Sequence, residues 1–309
     1  MSSRWLSLCT ALLSVVFGAC GNYSNDDLDF QLALPEQGDM QARMQLSVAR
    51  ADSAEYYRDT RTAVTTFNDL VGKLTAIIDL VRGQTPTGRS GDERTWGPWV
   101  MDEQPSWEMR VVMQRTALTA TALQMDYWVQ LRPVASGDAG WVPFLIGVYV
   151  SDGGVQSGQG EIHLLVNEVR AAGYPIDQDP GLAGIVSIDV AYGNLGYPIT
   201  VELGISKQNG SVIETGHYAY SEQQDGSGFM SFDWQGLSDN GLPIAARMLA
   251  QWIGSGAGRA DLTADLTPNQ PDLSTVLGTD CWGVDSVSTY HYRLGKPDET
   301  KGDPASCLF

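Results

Sequence analysis

Basic residues are scarce in this chain: 19 Lys and Arg stand against 37 Asp and Glu, a formal net charge of −18 over 309 residues. A field of that sign repels phosphate backbones, which argues against nucleic-acid binding. Long apolar runs are missing too. After the first 20 residues no stretch approaches the ~20 apolar residues that a membrane-crossing helix needs. The chain has no G-x-S-x-G elbow, no H-E-x-x-H, no P-loop and no EF-hand spacing. Histidines number three (His163, His217, His291) and cysteines four (Cys9, Cys20, Cys281, Cys307), so metal and thiol chemistry have few ligands to draw on.

What is present begins with an address. Residues 1–19 read as a signal peptide: Arg4 gives the positive start, Trp5 to Phe17 is uncharged and mostly apolar, and Gly18-Ala19 are small. The run Phe17-Gly18-Ala19-Cys20 resembles the signal-peptidase II pattern of bacterial lipoproteins, with Phe17 where Leu is usual. Cys20 is then the lipidated residue and the link to a membrane. Asn22, by analogy with enteric lipoproteins, directs the chain to the outer membrane. Removing Cys9 and acylating Cys20 leaves Cys281 and Cys307, and an oxidising compartment favours a disulfide between them. Closing that loop contributes about 3.5 kcal/mol on the chain-entropy model. Two isolated cysteines without CxxC or CxH spacing make a poor zinc site. Residues 20–39, acidic and free of basic residues, read as a flexible tether reaching about 25 Å, with the alternating Phe30, Leu32 and Leu34 before Pro35 offering a short strand by which its far end docks.

Residues 40–309 read as a single β-rich domain with a helical unit at its start (40–82). Val64, Phe67, Val71, Leu74, Ile78 and Val81 draw one apolar stripe along a helix that Arg82-Gly83 ends. A weaker stripe (Met40, Met44, Val48, Ala51) predicts a second helix over 40–58. From Thr95 onward the period is two. Strands are expected around Trp107–Met113, Leu123–Leu131, Phe144-Ile146-Val148-Val150, Ile162-Leu164-Val166, Val186-Ile188-Val190 and Ile199-Val201-Leu203-Ile205. Gly193-Asn194, Asn209-Gly210, Asp225-Gly226 and Asn240-Gly241 mark turns, and 216–235 is the clearest hairpin. The fold class expected is α+β, predominantly antiparallel β: a long meander curled into a half-barrel or barrel and covered by N-terminal helices, with a β-sandwich as the alternative.

Few residues suggest chemistry. His163 shares a strand face with Glu161 and Asn167 by two-residue spacing, and Asp189 lies on a later polar face, so the set has the makings of an acid–base or metal cluster. Solvated polar faces produce such sets often. His217 is expected on the wet side of its hairpin. Asp261 with Asp265, and the loop Asp152-Gly153-Gly154, offer oxygen ligands for Ca²⁺ without a full set. The run 254–258 (GSGAG) reads as a tight turn rather than a nucleotide loop.

Thr95-Trp96-Gly97-Pro98, 255–261 (SGAGRAD), Asp280-Cys281-Trp282, Tyr290-His291-Tyr292 and the terminal 306–309 (SCLF) occur in that order. Their order resembles that of a group of uncharacterised predicted lipoproteins in myxobacteria and their relatives, over most of residues 40–309. The resemblance implies paired cysteines and a surface address, and supplies no catalytic residue. The expected function is that of a non-enzymatic structural or interaction lipoprotein of the cell envelope, without cofactor or metal. Its partner is an envelope protein or an apolar ligand. The alternative is a carrier for a lipid or amphiphile, with Met109, Met113 and Met125 lining its pocket.

Overall fold

The computed structural model describes residues 24–44, 53–151, 157–179, 181–193, 197–237, 243–265 and 274–307. The signal segment, Cys20, the 152–154 loop, and the Asn194 and 240–241 turn residues lie outside the described residues. Four helices are described: α1 (Asn25–Leu32), α2 (Gln37–Met40), α3 (Glu55–Ile78) and α4 (Val166–Ala171). The first strands are β1 (Gly88–Ser90), β2 (Glu93–Met101), β3 (Gln104–Ala117), β4 (Leu123–Pro133) and β5 (Val142–Ser151). Next come β6 (Gly158–Leu164), β7 (Ile185–Gly193), β8 (Ile199–Asn209), β9 (Val212–Glu222) and β10 (Gly228–Leu237). The last are β11 (Pro243–Trp252), β12 (Gly258–Asp265), β13 (Ser274–Trp282), β14 (Ser288–Arg293) and β15 (Lys301–Gly302).

These fifteen strands form one antiparallel sheet in strict sequence order, β1 to β15. The expected meander is there. It is a single open sheet, neither the two sheets of a sandwich nor a barrel closed by hydrogen bonds, because the ladder ends at β1 and at β15. Short end strands of three and two residues leave little free edge for another chain to pair with.

Alternation decides which side of the sheet is apolar. One row of cross-strand partners runs unbroken from Met113 on β3 through Tyr127, Gly147, Ile162, Val190, Leu203, Tyr218, Phe232, Met248 and Leu262 to Gly278 on β13. This inner face must be covered. Helix α3 crosses it, and Val64, Phe67, Val71, Leu74, Ile78 and Val81 are all buried, as the stripe predicts. Each contributes about 2 kcal/mol by leaving water. Phe67 meets Tyr218 and Tyr220, and Tyr57 packs edge-on against Trp282. Gly83, at φ 72°, takes the chain out of the helix region. Between β6 and β7, α4 and the following loop cover β5 and β7, and Tyr174 stands edge-on to Trp107.

Three expectations need correction. The helix expected over 40–58 is not formed as such: α3 starts at Glu55, residues 41–44 are non-helical, and 45–52 are outside the described residues. On β5 the inner face is Leu145, Gly147 and Tyr149, while Ile146, Val148 and Val150 lie on the other side, half-buried. Both faces of β5 are apolar, so alternation alone does not choose between them.

The third correction concerns the tether. From residue 24 onward it is folded. Ser24 caps α1 through a reciprocal pair of hydrogen bonds with Asp27, and Phe30, Leu34 and Met40 are buried. Asp27 is fully buried and meets Arg94 at 2.7 Å and Arg89 at 3.0 Å. Asp26 pairs with Arg94 and, at 2.6 Å, with Arg115. The guanidinium carbons of Arg94 and Arg115 lie 4.8 and 5.3 Å from the centre of the Phe30 ring. Farther on, the Gln31 amide donates to the carbonyls of Val81 and Gln84, and Arg82 donates to the carbonyl of Leu34. Acidic residues that composition reads as solvated are neutralised here by arginines from β1 to β3.

A repeat of 30 residues emerges in the later strands. The turns at 223–227, 253–257 and 283–287 share the same two hydrogen bonds, such as Ile253 N–H to the Ala257 carbonyl and Gly256 N–H to the Ile253 carbonyl. The equivalent residues Gly226, Gly256 and Ser286 all have positive φ (80°, 90° and 64°). Trp252 and Trp282 each donate an indole N–H at 3.0 Å to the carbonyl of the preceding turn, Gly226 and Gly256. Both rings lie over a glycine of the neighbouring strand: a Cβ on Gly228 or Gly258 would sit 3.0 or 2.7 Å from the indole.

The Asp27 cluster generates a prediction. The Arg89 guanidinium, helped by Arg94 and Ser24, holds the Asp27 carboxyl well below the usual carboxylate range against the opposing effect of burial. A depressed folded pKa stabilises the fold above the unfolded value near 4, and that contribution is lost as pH falls toward the folded value. Asp27→Asn is expected to lower the unfolding free energy by about 2 kcal/mol at pH near 7. The gap to the parent should narrow well below pH ~4. Urea unfolding at the two pH values checks both; an equal loss at each contradicts the assignment.

Candidate functional site

The outward face of the sheet is apolar on β5, at Ile146, Val148 and Val150, and along β6 to β9 it carries the polar residues that spacing groups. His163 on β6 and Asp189 on β7 are direct cross-strand partners, with Nδ1 2.7 Å from the Asp189 carboxylate. Glu161, two residues before His163 on β6, comes within 3.6 Å of Nε2. The expected convergence of these three is therefore found. Asn167 does not join them, because β6 ends at Leu164 and Asn167 sits on α4 beside Arg170. A second histidine repeats the arrangement: His217 on β9 lies 3.8 Å from Glu202 and 3.7 Å from Asp233.

Beside the row that carries both histidines lies a shallow trough of about 420 Å³, lined by Val148, Val150, Ala191 and Gly193 together with Glu161 and Glu202; neither histidine lines it. Among the described residues neither glutamate meets a Lys or Arg, whereas Asp233 has Arg247 and Asp261 has Arg259. An imidazole held by a carboxylate can shuttle a proton, but general acid–base catalysis also needs walls that fix a substrate beside it. His163 is 37% exposed on an open sheet. The arrangement is a charge ladder on a wet face.

A second concavity, of about 280 Å³, opens where α3 begins, and Asp280 and His291 line it together with Ser288, Arg58 and Lys301. Ala54 at the N-cap of α3 offers no side-chain acceptor. Asp280, 224 positions beyond Tyr56 on β13 and fully buried, serves instead: Oδ2 accepts from the Tyr56 N–H at 3.1 Å, and Oδ1 accepts from the Ser288 hydroxyl at 2.7 Å. Burial pushes this carboxyl above its usual range, while Ser288, the Tyr56 N–H and His291 at 3.7 Å pull it back. Ala54 N–H donates to the Ser286 carbonyl, and Ser53 bridges to Val287. The start of α3 is thus fastened to the β13–β14 hairpin. Nothing in the local sequence at 53–56 announces a cap supplied from so far away.

In the core, the Tyr127 ring and hydroxyl lie over Gly147 and those of Tyr192 over Gly160, with the Tyr149 ring stacked 6.5 Å from Tyr192. None makes a protein hydrogen bond of ordinary geometry. Burial raises all three phenols, that of Tyr149 to about 12. Met113 and Met125 are fully buried in the packed core, with Met109 against it.

Cys281 and Cys307 form a disulfide, with Cα atoms 5.5 Å apart. Asp261 is engaged by Arg259 at 2.8 Å and by the Thr279 hydroxyl, and the side chain of Asp265 lies outside the described residues. The 254–258 run is a hairpin turn, as expected. Among the described residues no group of three or more His, Cys, Asp or Glu is placed to hold a metal ion.

Removing the Asp280 carboxylate leaves buried helix N–H groups without an acceptor. Asp280→Ala is expected to cost about 2 kcal/mol of stability. Asp280→Asn, which keeps one oxygen acceptor, should lose less. Denaturant midpoints and amide exchange at Tyr56 report the two effects, and an alanine variant as stable as the parent contradicts the remote cap.

No protein-family model matches the chain, and comparison with curated proteins and with solved structures returns no match.

Proposed function

We propose that the chain is an extracytoplasmic lipoprotein of the cell envelope, anchored through lipid on Cys20, in which a solid β domain presents its outer sheet face to an envelope partner. The observation that carries this reading is the asymmetry of the sheet. Its inner face is packed under α1 to α4, with Met113 and Met125 buried among aromatic and branched side chains. Its outer face is open, and among the described residues no Lys or Arg meets Glu161 or Glu202 along β6 to β8. A curl into a half-barrel belongs to the same proposal. An antiparallel sheet of fifteen strands seldom stays flat, because the twist of each strand accumulates, and a single sheet of that size is what forms here.

A carrier for an amphiphile is the second reading. It draws on Ile205, Phe232 and Leu262, which lie on the inner face yet are only partly buried beside α3. Two measurements test the proposal. Expressed with its own leader, the chain should incorporate a clickable fatty acid and sediment with membranes, and Cys20→Ser should abolish both. Native mass spectrometry of the Cys20→Ser domain, purified without detergent, should show the bare polypeptide mass. A reproducible lipid-sized excess would move the assignment to the carrier.

A further inference from the structure

The position of the first folded residue orients the domain. The ladder places the starts or ends of all the long strands at two opposite ends of the sheet. At one end lie the turns 91–92, 118–122, 223–227, 253–257 and 283–287. At the other lie 102–103, 134–141, 210–211 and 294–300. Helix α1 begins at the first of these ends: Asp26 reaches Arg115, two residues before β3 stops, and Arg115 in turn holds Asp92 of the β1–β2 turn. Ser24, which caps α1, is only four residues from Cys20. Four residues span at most about 14 Å. A strand as long as β4, with 11 residues, is about 37 Å from end to end.

We propose that a lipid bilayer surface is the partner of the first end, and that the domain stands on it with the 118–122, 223–227, 253–257 and 283–287 turns facing the headgroups. The proposal rests on the Cys20 reading above and adds an orientation to it. The short link to Cys20 carries it. The turns at 118–122 (LTATA) and 253–257 (IGSGA) carry no charged residue, and Leu118, Ile253 and Val284 are exposed there. Apolar side chains are exposed at the other end too, such as Val134 and Ile213, so exposure alone does not choose. Nor does charge: the first end bears Asp92, Asp225 and Asp285, and the other bears Asp102, Glu103, Asp138, Asp298 and Glu299, of which Asp138 meets Arg132 and Glu299 meets Lys296. The outer face bears Glu161, Asp189 and Glu202, which anionic headgroups repel. The adjoining turns also brace one another: Gly254 sits so close to the Asp225 carbonyl that a Cβ there would approach it to 2.2 Å.

With Cys20 acylated and Cys281 bonded to Cys307, an introduced cysteine is the one free thiol of the mature chain. Full-length lipidated protein carrying Ile253→Cys, Leu118→Cys, Ala191→Cys or Ser211→Cys is labelled with a fluorophore. Each is bound to phosphatidylethanolamine–phosphatidylglycerol vesicles containing a headgroup-nitroxide quencher. Labels at 253 and 118 should be quenched several-fold more than those at 191 and 211. Strongest quenching at 191 would mean that the sheet lies flat, and strongest at 211 that the domain is inverted; equal quenching at all four would mean no fixed orientation. Each of these three overturns the proposal while leaving the anchor intact. Failure of the parent chain to float with vesicles, with Cys20→Ser behaving identically, would remove the anchor reading and the orientation together.

Discussion

A single β-sheet has two faces, and this chain offers no second sheet among its described residues to cover the apolar one. Everything else in the architecture answers that constraint. The cover is helix α3, a 24-residue element whose position must be fixed at both ends to serve as one. Its first turn is held by Asp280 and by the backbone of the β13–β14 hairpin. Just beyond its last turn, Val81 and Gln84 accept from Gln31 and Arg82 donates to Leu34, which ties in α1 and its continuation. The disulfide lies next to the first fastening, because Cys281 follows Asp280 directly. It closes the C-terminal segment onto the strand that holds the helix.

Charge is arranged in two ways in this acidic chain. Inside, single carboxylates are given specific partners: Asp27 receives arginines, and Asp280 receives helix N–H groups and a hydroxyl. Their responses to pH have opposite sign, since arginine pairing lowers the one and burial raises the other. Outside, Glu161, Asp189 and Glu202 on β6 to β8 stand beside histidines, and among the described residues none of them meets a Lys or Arg. On the proposed lipid anchor, Cys20 stands four residues before Ser24, so the domain is held close to the membrane.

Periodicity made much of this legible. The stripe from Val64 to Val81 and the two-residue alternation after Thr95 gave the covering helix and the meander, because burial on one side leaves a direct imprint on spacing. The pairing of Cys281 with Cys307 followed from elimination, and Glu161, His163 and Asp189 met because strand neighbours share a face. What failed did so for physical reasons. Asp26 and Asp27 looked like solvated tether because their arginines come from residues 89 to 115. Strand β5 was assigned to the wrong face because Ile146, Val148 and Val150 are as apolar as Leu145 and Tyr149. The 30-residue repeat is visible as Gly226-Ser227-Gly228 and Gly256-Ala257-Gly258, but its third copy replaces both glycines with Ser286 and Ser288. Remote capping by Asp280 leaves no local trace at all.

The central claim is that the chain from residue 24 onward is part of the fold, with Phe30, Leu34 and Met40 packed into the core beside α3. Hydrogen exchange on the mature chain tests this directly, because a tether exchanges at the unprotected rate while docked helices do not. Amides in α1, around Asp27 to Leu34, should be protected and should lose protection together with α3 when the fold is destabilised. Exchange of residues 24–40 at the rate of an unfolded peptide, with α3 still protected, would contradict the account.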